Sequence, residues 1–319
     1  MGGVWREKGA RDRMRQSGPP DTTALMPTMK LQLSLEWFLN PDHLPLIAGI
    51  ELGWYREAGL ELELLVPDDH YDGLAETVAG KVAFACNEPL HMIDAHRPGL
   101  KALGCFFETD GGILLQRAAG ERLLQGEPVR LASPVAGGVT DAIAVEILSR
   151  WCTARGASFD PAQVRIEEAG FEHLDNLRAG FDGAWLCFAN FEGVEAKLAG
   201  LDADFITTGE VGLHNFSALE LFTSEDFLAR HGEVVATVVD LVGRGASLCR
   251  DNPAQAAELW YRYSGTQPTE LMDAIIADTC PRLVGPVRRD AARWQGMWEQ
   301  FDRMGLSQVD REGYAALYS

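Results

Sequence analysis

The chain has 319 residues, 46% of them hydrophobic, and a formal net charge of −19. That is enough apolar material for a sizeable core in about two domains. The negative balance works against extended contact with nucleic acid or an anionic lipid surface, which would repel the chain at long range, and no run of about 18 apolar residues is present to span a membrane.

Residues 1–28, "MGGVWREKGARDRMRQSGPPDTTALMPT", lack the continuous apolar stretch of a signal peptide. The segment reads as a disordered tail, with Met26 and Met29 as alternative starts. As written, the sequence points to the cytoplasm, and to the periplasm only if the true start differs. Cysteines stand at 86, 105, 152, 187, 249 and 280, with no Cys-x-x-Cys pair and no zinc spacing. They are expected as isolated buried thiols.

From Met29 onward short β-type runs alternate with helix-period segments, the pattern of an α/β architecture. "KLQLSL" (30–35) is a strand, "PLIAGIELGWYREAG" a helix ended by Gly59, and "LELELLV" (60–66) a second strand. "YDGLAETVAGK" and "PLHMIDAHR" are short helices around the strand "VAFACN" (82–87), and "LKALGCFF" (100–107) follows as another strand. A second set repeats the logic: strand "VRLASP" (129–134), helix "TDAIAVEILSRWCTARG", strand "VRIEEA", helix "FEHLDNLRAG" and strand "DGAWLCF" (182–188). After "DADFITT" and the irregular "GEVGLHNFSA", residues 218–224 read as a returning strand. From Ser224 the chain is almost entirely helical, with Ser224 as a capping start, Pro253 at a first helical position and Gly265 as a stop. Trp294, Trp298 and Phe301 share one helix face and are expected in the core.

Ligands of open α/β sheets sit beyond the carboxyl ends of strands, where short loops converge. Four such loops carry chemistry. Trp37, Asn40 and His43 follow the first strand; Asn87, Glu88 and His91 follow "VAFAC"; Gly137, Gly138 and Thr140 follow "VRLAS"; Trp185, Asn190 and Glu192 lie at or beyond the end of "DGAWLCF". An indole offers a large flat apolar face, and amides and carboxylates around it would orient a ring bearing amino groups and nitrogens. Glu36, Glu88 and Glu192 stand out because a buried unpaired carboxylate is costly. The two glycines of "SPVAGGVTDA" precede a helix N-terminus, where free N–H groups favour an anion, or they form a structural turn.

The "LEWFLNPDH" turn, the stretch Ile50 to Leu64, "AGKVAFACNEPLH" (79–91), "AGFDGAWLCFANFEGVEAKLAGL" (179–201) and "LFTSEDFLARHGEVV" (221–235) occur in an order that resembles the NMT1/THI5-like branch of the type II periplasmic-binding-protein superfamily. The resemblance covers about nine tenths of the chain. It implies an α/β fold of two lobes with the ligand closed between them: residues 29–113 plus 218–319 as lobe 1, including a helical C-terminal segment, and 114–217 as lobe 2. The crossings are expected near Gly111 to Leu115 and Asn215 to Leu219.

That branch contains transport-linked receptors and pyrimidine synthases that consume their own histidine and a bound pyridoxal phosphate. A gapless overlay of "AGKVAFACNEPLH" implies that His91 falls on the sacrificial histidine and Asn87 on the Schiff-base lysine. An amide cannot form an aldimine, and "GLHNFSALELF" lacks the cysteines of the branch's iron-associated motif. The expectation is therefore a non-catalytic binding protein for a small planar nitrogen heterocycle, such as a thiamine-pyrimidine precursor, serving an ABC permease. No cofactor and no metal are expected. The alternative is a cytoplasmic synthase of the pyrimidine phosphate, using His91 with pyridoxal phosphate and iron.

Overall fold

The computed structural model describes residues 28–67 and 72–319, so the segment read as a tail lies, apart from Thr28, outside the described residues. Ten strands form two mixed sheets. In chain order they are β1 (Met29–Ser34), β2 (Leu60–Leu65), β3 (Phe84–Asn87), β4 (Leu100–Glu108), β5 (Gly111–Gln116), β6 (Val129–Ser133), β7 (Val164–Glu168), β8 (Gly183–Phe188), β9 (Ala203–Thr207) and β10 (Ala218–Ser224).

The first sheet has the order β2-β1-β3-β10-β4 and the second β7-β6-β8-β5-β9. Each begins with three parallel strands and then takes an antiparallel strand, β10 or β5, between its third member and its edge. These are the two lobes. The first crossing falls at Thr109 and Asp110, because Gly111 already pairs with Phe188 in the second sheet; the boundary expected at 113 moves back accordingly. The second crossing is pinned to the first by hydrogen bonds from Thr109 N–H to Ser217 O at 2.9 Å and from Asn215 Nδ2 to Thr109 O at 2.7 Å.

The helices follow from local chemistry. Asp72 and Ser224 accept from the first-turn N–H groups of the helices they start. The single helix expected over 45–59 is two, Leu44–Glu51 and Trp54–Glu57, because Gly53 at φ +76° breaks the run. The long run after Ser224 likewise divides at His231 into Glu225–Arg230 and Gly232–Asp251. This last helix packs directly on Leu44–Glu51, and a Cβ at Gly245 would meet Pro45 O at 2.1 Å, so only glycine permits the approach. Trp294, Trp298 and Phe301 are buried in the core as read, with Trp298 stacked 5.5 Å from Tyr314. All six cysteines are buried and free. No described helix is long and apolar enough to cross a membrane.

Candidate functional site

A cavity of about 170 Å³ opens between the lobes. An apolar cavity of about 150 Å³ holds a single benzene ring, so this one suits one small substituted ring. Its first wall is the turn after β1. Asn40 caps the turn by accepting from Asp42 N–H at 2.9 Å, and Pro41 presets the backbone. The chain therefore reverses at once and brings His43 back beneath Glu36, with Nε2 3.0 Å from the carboxylate. Cys86 of β3 donates to the same carboxylate at 3.1 Å. Burial opposes the charge on Glu36, but His43 and Cys86 outweigh it and hold its pKa below the usual value. His43 itself is fully buried and does not line the cavity; it braces Glu36, which does.

These three residues are the one described group whose ligand atoms, all within 4.8 Å of one another, could hold a metal ion. As bonded here, the thiol donates to Glu36, and burial followed by the charge of Glu36 pushes its pKa well up. A metal would have to displace that proton, so a hydrogen-bonded brace is the state the geometry favours.

Three further carboxyls face the cavity. Burial raises Glu88 to about 7, with Glu36 adding to the rise and His91 opposing it. Burial raises Glu192 to about 7 as well, although its carboxyl accepts from Phe188 N–H at 2.8 Å. Asp42 is raised well above its ordinary value by burial and by Glu36, against the bond it accepts from Asn190 Nδ2 at 2.8 Å. Asn190 also donates to Thr279 Oγ1 at 3.0 Å, so this fully buried amide ties the second lobe to the first beside the cavity and does not line it.

The opposite wall departs from the sequence reading at Trp185. Where β5 meets β8 the register slips: Gly112 pairs with Cys187 and Ile113 with Trp185, leaving Leu186 as an extra residue. Leu186 takes φ +61°, the only positive φ of a non-glycine residue among the described residues. The bulge turns Leu186 into the cavity wall and leaves Trp185 fully buried in the core, 6.3 Å from Phe216. Trp185 is thus a core residue, contrary to the expected second stacking face.

Its place is taken by Phe188 and Phe191, within the loop read at the end of β8, and by Phe171, which sequence reasoning missed. Phe171, in the loop after β7, meets Trp37 edge-on at 4.7 Å across the mouth, and Phe188 and Phe191 line the floor. His173 follows as the first residue of the helix His173–Arg178; burial pushes its pKa down to about 4, so it is neutral. The strand-end rule that selected four loops would have found both residues had it been applied to β7.

Glu88, Thr140 and Asn40 line the cavity, whereas Asn87, Gly137 and Gly138 do not. In the glycine turn before the helix Val139–Ala154, Gly137 N–H donates to Asp141 at 2.7 Å, so that donor already has a partner. His91 lines the cavity with Nδ1 2.8 Å from Asp94. Burial disfavours its charged form, but Asp94 and Glu88 outweigh that and raise its pKa. No lysine lines the cavity among the described residues, so nothing there forms an aldimine, and pyridoxal phosphate has no anchoring amine.

Two sheets of like topology with an aromatic cavity at their junction define a type II periplasmic-binding-protein fold. The ligand-binding component of an ABC-type import system from Staphylococcus aureus superposes with a TM-score of 0.65 at 13% identity, covering 90% of this chain and 98% of that one. The chain belongs to the NMT1/THI5-like family, whose model matches residues 40–116 and 130–256. Among its relatives are a 4-amino-5-hydroxymethyl-2-methylpyrimidine phosphate synthase of Legionella pneumophila, 23% identical over 79% of each chain, and a formylaminopyrimidine-binding protein of Halalkalibacterium halodurans, 22% identical over 71% of this chain and 68% of that one.

Proposed function

We propose that the protein is a binding protein for a small aminopyrimidine of the thiamine-precursor type, held by closure of its two lobes. The observation that carries this reading is the ring-sized cavity itself, walled by Trp37, Phe171, Phe188 and Phe191 and provided with the carboxyls of Glu88 and Glu192. Aromatic edges and faces exclude water around a flat ring, and the carboxyls accept from its amino group and protonated nitrogen. The formylaminopyrimidine-binding relative supports the ligand class. Calorimetric titration with the hydroxymethylpyrimidine and with formylaminopyrimidine tests it. Binding that is lost in Trp37→Ala while the fold persists is expected, and no heat with either compound would refute the reading.

Delivery of the ligand to an ABC permease is the extension we attach to it. Loss of labelled pyrimidine uptake on deletion of the gene is the expected result. The biosynthetic alternative draws on one observation, the Asp94-oriented imidazole of His91 at the cavity wall, and on the synthase relatives. Incubation with pyridoxal phosphate and ferrous iron, followed by peptide mass analysis, separates the two: a binder keeps His91 intact.

A further inference from the structure

Carboxyls outnumber basic groups around the cavity, where the imidazoles of His91 and His173 are the basic side chains among the described residues. Glu36, Asp42, Glu88 and Glu192 line it, and among the described residues no lysine or arginine does. Two of the four are engaged inside the protein, Glu36 by His43 and Asp42 by Asn190. Glu192 accepts one backbone N–H, and no side-chain hydrogen bond joins the Glu88 carboxyl to another described residue although Glu88 is only 8% exposed. The arginine whose charge Asp42 feels is Arg282, and its guanidinium is held by Asp278 at 2.7 Å and Asp110 at 3.4 Å. In the nearby glycine turn the Gly137 N–H is already bonded to Asp141.

A second, independent observation marks the same space as incomplete. Thr109 and Ser217, 3% and 1% exposed, line the cavity, and their hydroxyls have no partner. The Nδ1 atom of buried His173 is likewise unpaired. Buried polar groups in folded proteins are almost always satisfied, by protein or by water, so these three are free to meet groups that a ligand brings.

We infer that the cavity selects its ring by charge, accepting a cationic or hydrogen-donating, phosphate-free heterocycle and rejecting phosphorylated ones, with Glu88 and Glu192 as the discriminating residues. This rests on the aminopyrimidine reading and sharpens it. A phosphate monoester carries about two negative charges near neutrality; here it would enter a water-poor space lined by four carboxyls, where no lysine or arginine meets it and the His91 imidazole is already bonded to Asp94. The phosphate-bearing product named for the synthase relatives, and pyridoxal phosphate itself, therefore do not fit this chain's cavity. A ring that donates from an amino group and a protonated nitrogen matches Glu88 and Glu192, while Thr109 and Ser217 can meet a hydroxymethyl or formyl oxygen.

The test is calorimetry on the full chain at neutral pH with five probes: the hydroxymethylpyrimidine, its phosphate monoester, an N-methylated aminopyrimidinium that is permanently cationic, N-methylpyridinium and pyridoxal phosphate. The expected result is binding of the first and third, with the phosphate ester weaker by about a hundredfold or more, a gap of two decades in Kd. Glu88→Gln and Glu192→Gln are expected to narrow that gap at least about tenfold, with melting curves verifying that each variant folds. The probe comparison on the unaltered protein stands without them. If the ester binds as tightly as the free alcohol, charge selection is overturned while the pyrimidine reading survives. If no pyrimidine binds but N-methylpyridinium does and pyridoxal phosphate does not, the pyrimidine reading fails and charge selection stands.

Discussion

Removal of the Phe171 ring separates ligand capture from folding. Phe171 is 44% exposed, yet its ring lies 4.7 Å from that of Trp37 at 87°, so it contributes to closing the mouth far more than to the core. An edge-to-face pair is worth about 0.5–1.5 kcal/mol beyond the area it buries. At about 1.4 kcal/mol per decade, Phe171→Ala should weaken binding of the hydroxymethylpyrimidine by roughly twofold to tenfold through this pair alone. A double-mutant cycle with Trp37→Ala isolates the coupling, because the second loss costs less once the first partner is gone. The assay is calorimetric titration of the four proteins, with urea unfolding alongside to show that Phe171→Ala shifts stability by about 0.5 kcal/mol or less, as a surface change should. A cycle that closes with no coupling, or a Phe171→Ala stability loss of core size, would show that the two rings do not act as a clasp.

Glu36→Gln removes the charged partner of buried His43 and should cost about 3–5 kcal/mol in urea unfolding at neutral pH. The parent should be most stable in mildly acidic solution. Because the folded-state pKa of Glu36 lies below 4.5, its contribution is present above that value and fades as the pH falls through the lower one. Glu88, Glu192 and Glu220 move the other way: burial raises each to about 7, so the folded chain keeps protons that the unfolded chain has released, and stability declines as the pH climbs from 4.5 towards 7. For Glu220, 1% exposed, that rise corresponds to about 3 kcal/mol, and Glu220→Gln should flatten the decline by a comparable amount in denaturant midpoints measured across that range. Leu186→Gly should change stability by about 1 kcal/mol or less, far under the roughly 2–5 kcal/mol of an ordinary core truncation, because relief of positive φ offsets the lost contacts; a full core-sized loss in urea unfolding would show the bulge to be unstrained.

The alternation of β-type and helix-period segments was enough to place most strands within a residue or two, since each lies between turn residues and carries its own apolar pattern. The first turn was legible too: Asn-Pro-Asp-His spells a capped reversal, and it delivers Asn40 and Asp42 to the cavity. Trp185 was not legible, because strict alternation has no sign for a residue bulged out between Gly112 and Ile113 of another strand. Asn190 was read as a ligand contact, but whether an amide meets a ligand or the facing lobe depends on Asp42 and Thr279, far away in sequence. Gly137 and Gly138 were read as an anion site or a structural turn, and the Gly137 N–H bond to Asp141, a residue of the same motif, favours the turn. Arg117–Leu124 escaped notice, and the β9 stretch "DADFITT" was set apart without being read as a strand, because their apolar patterns are too short to stand out from the surrounding loop.

The position of β10 has a consequence for how the chain is made. It lies between β3 and β4, so the first sheet stays in two pieces, with an unpaired edge on each, until Ala218–Ser224 has left the ribosome. The second sheet, with every strand lying between Gly111 and Thr207, can close earlier. Newly synthesised protein should therefore pass through a stage with one finished half and one sticky, half-zipped half, and the need for chaperones should fall once residue 224 emerges.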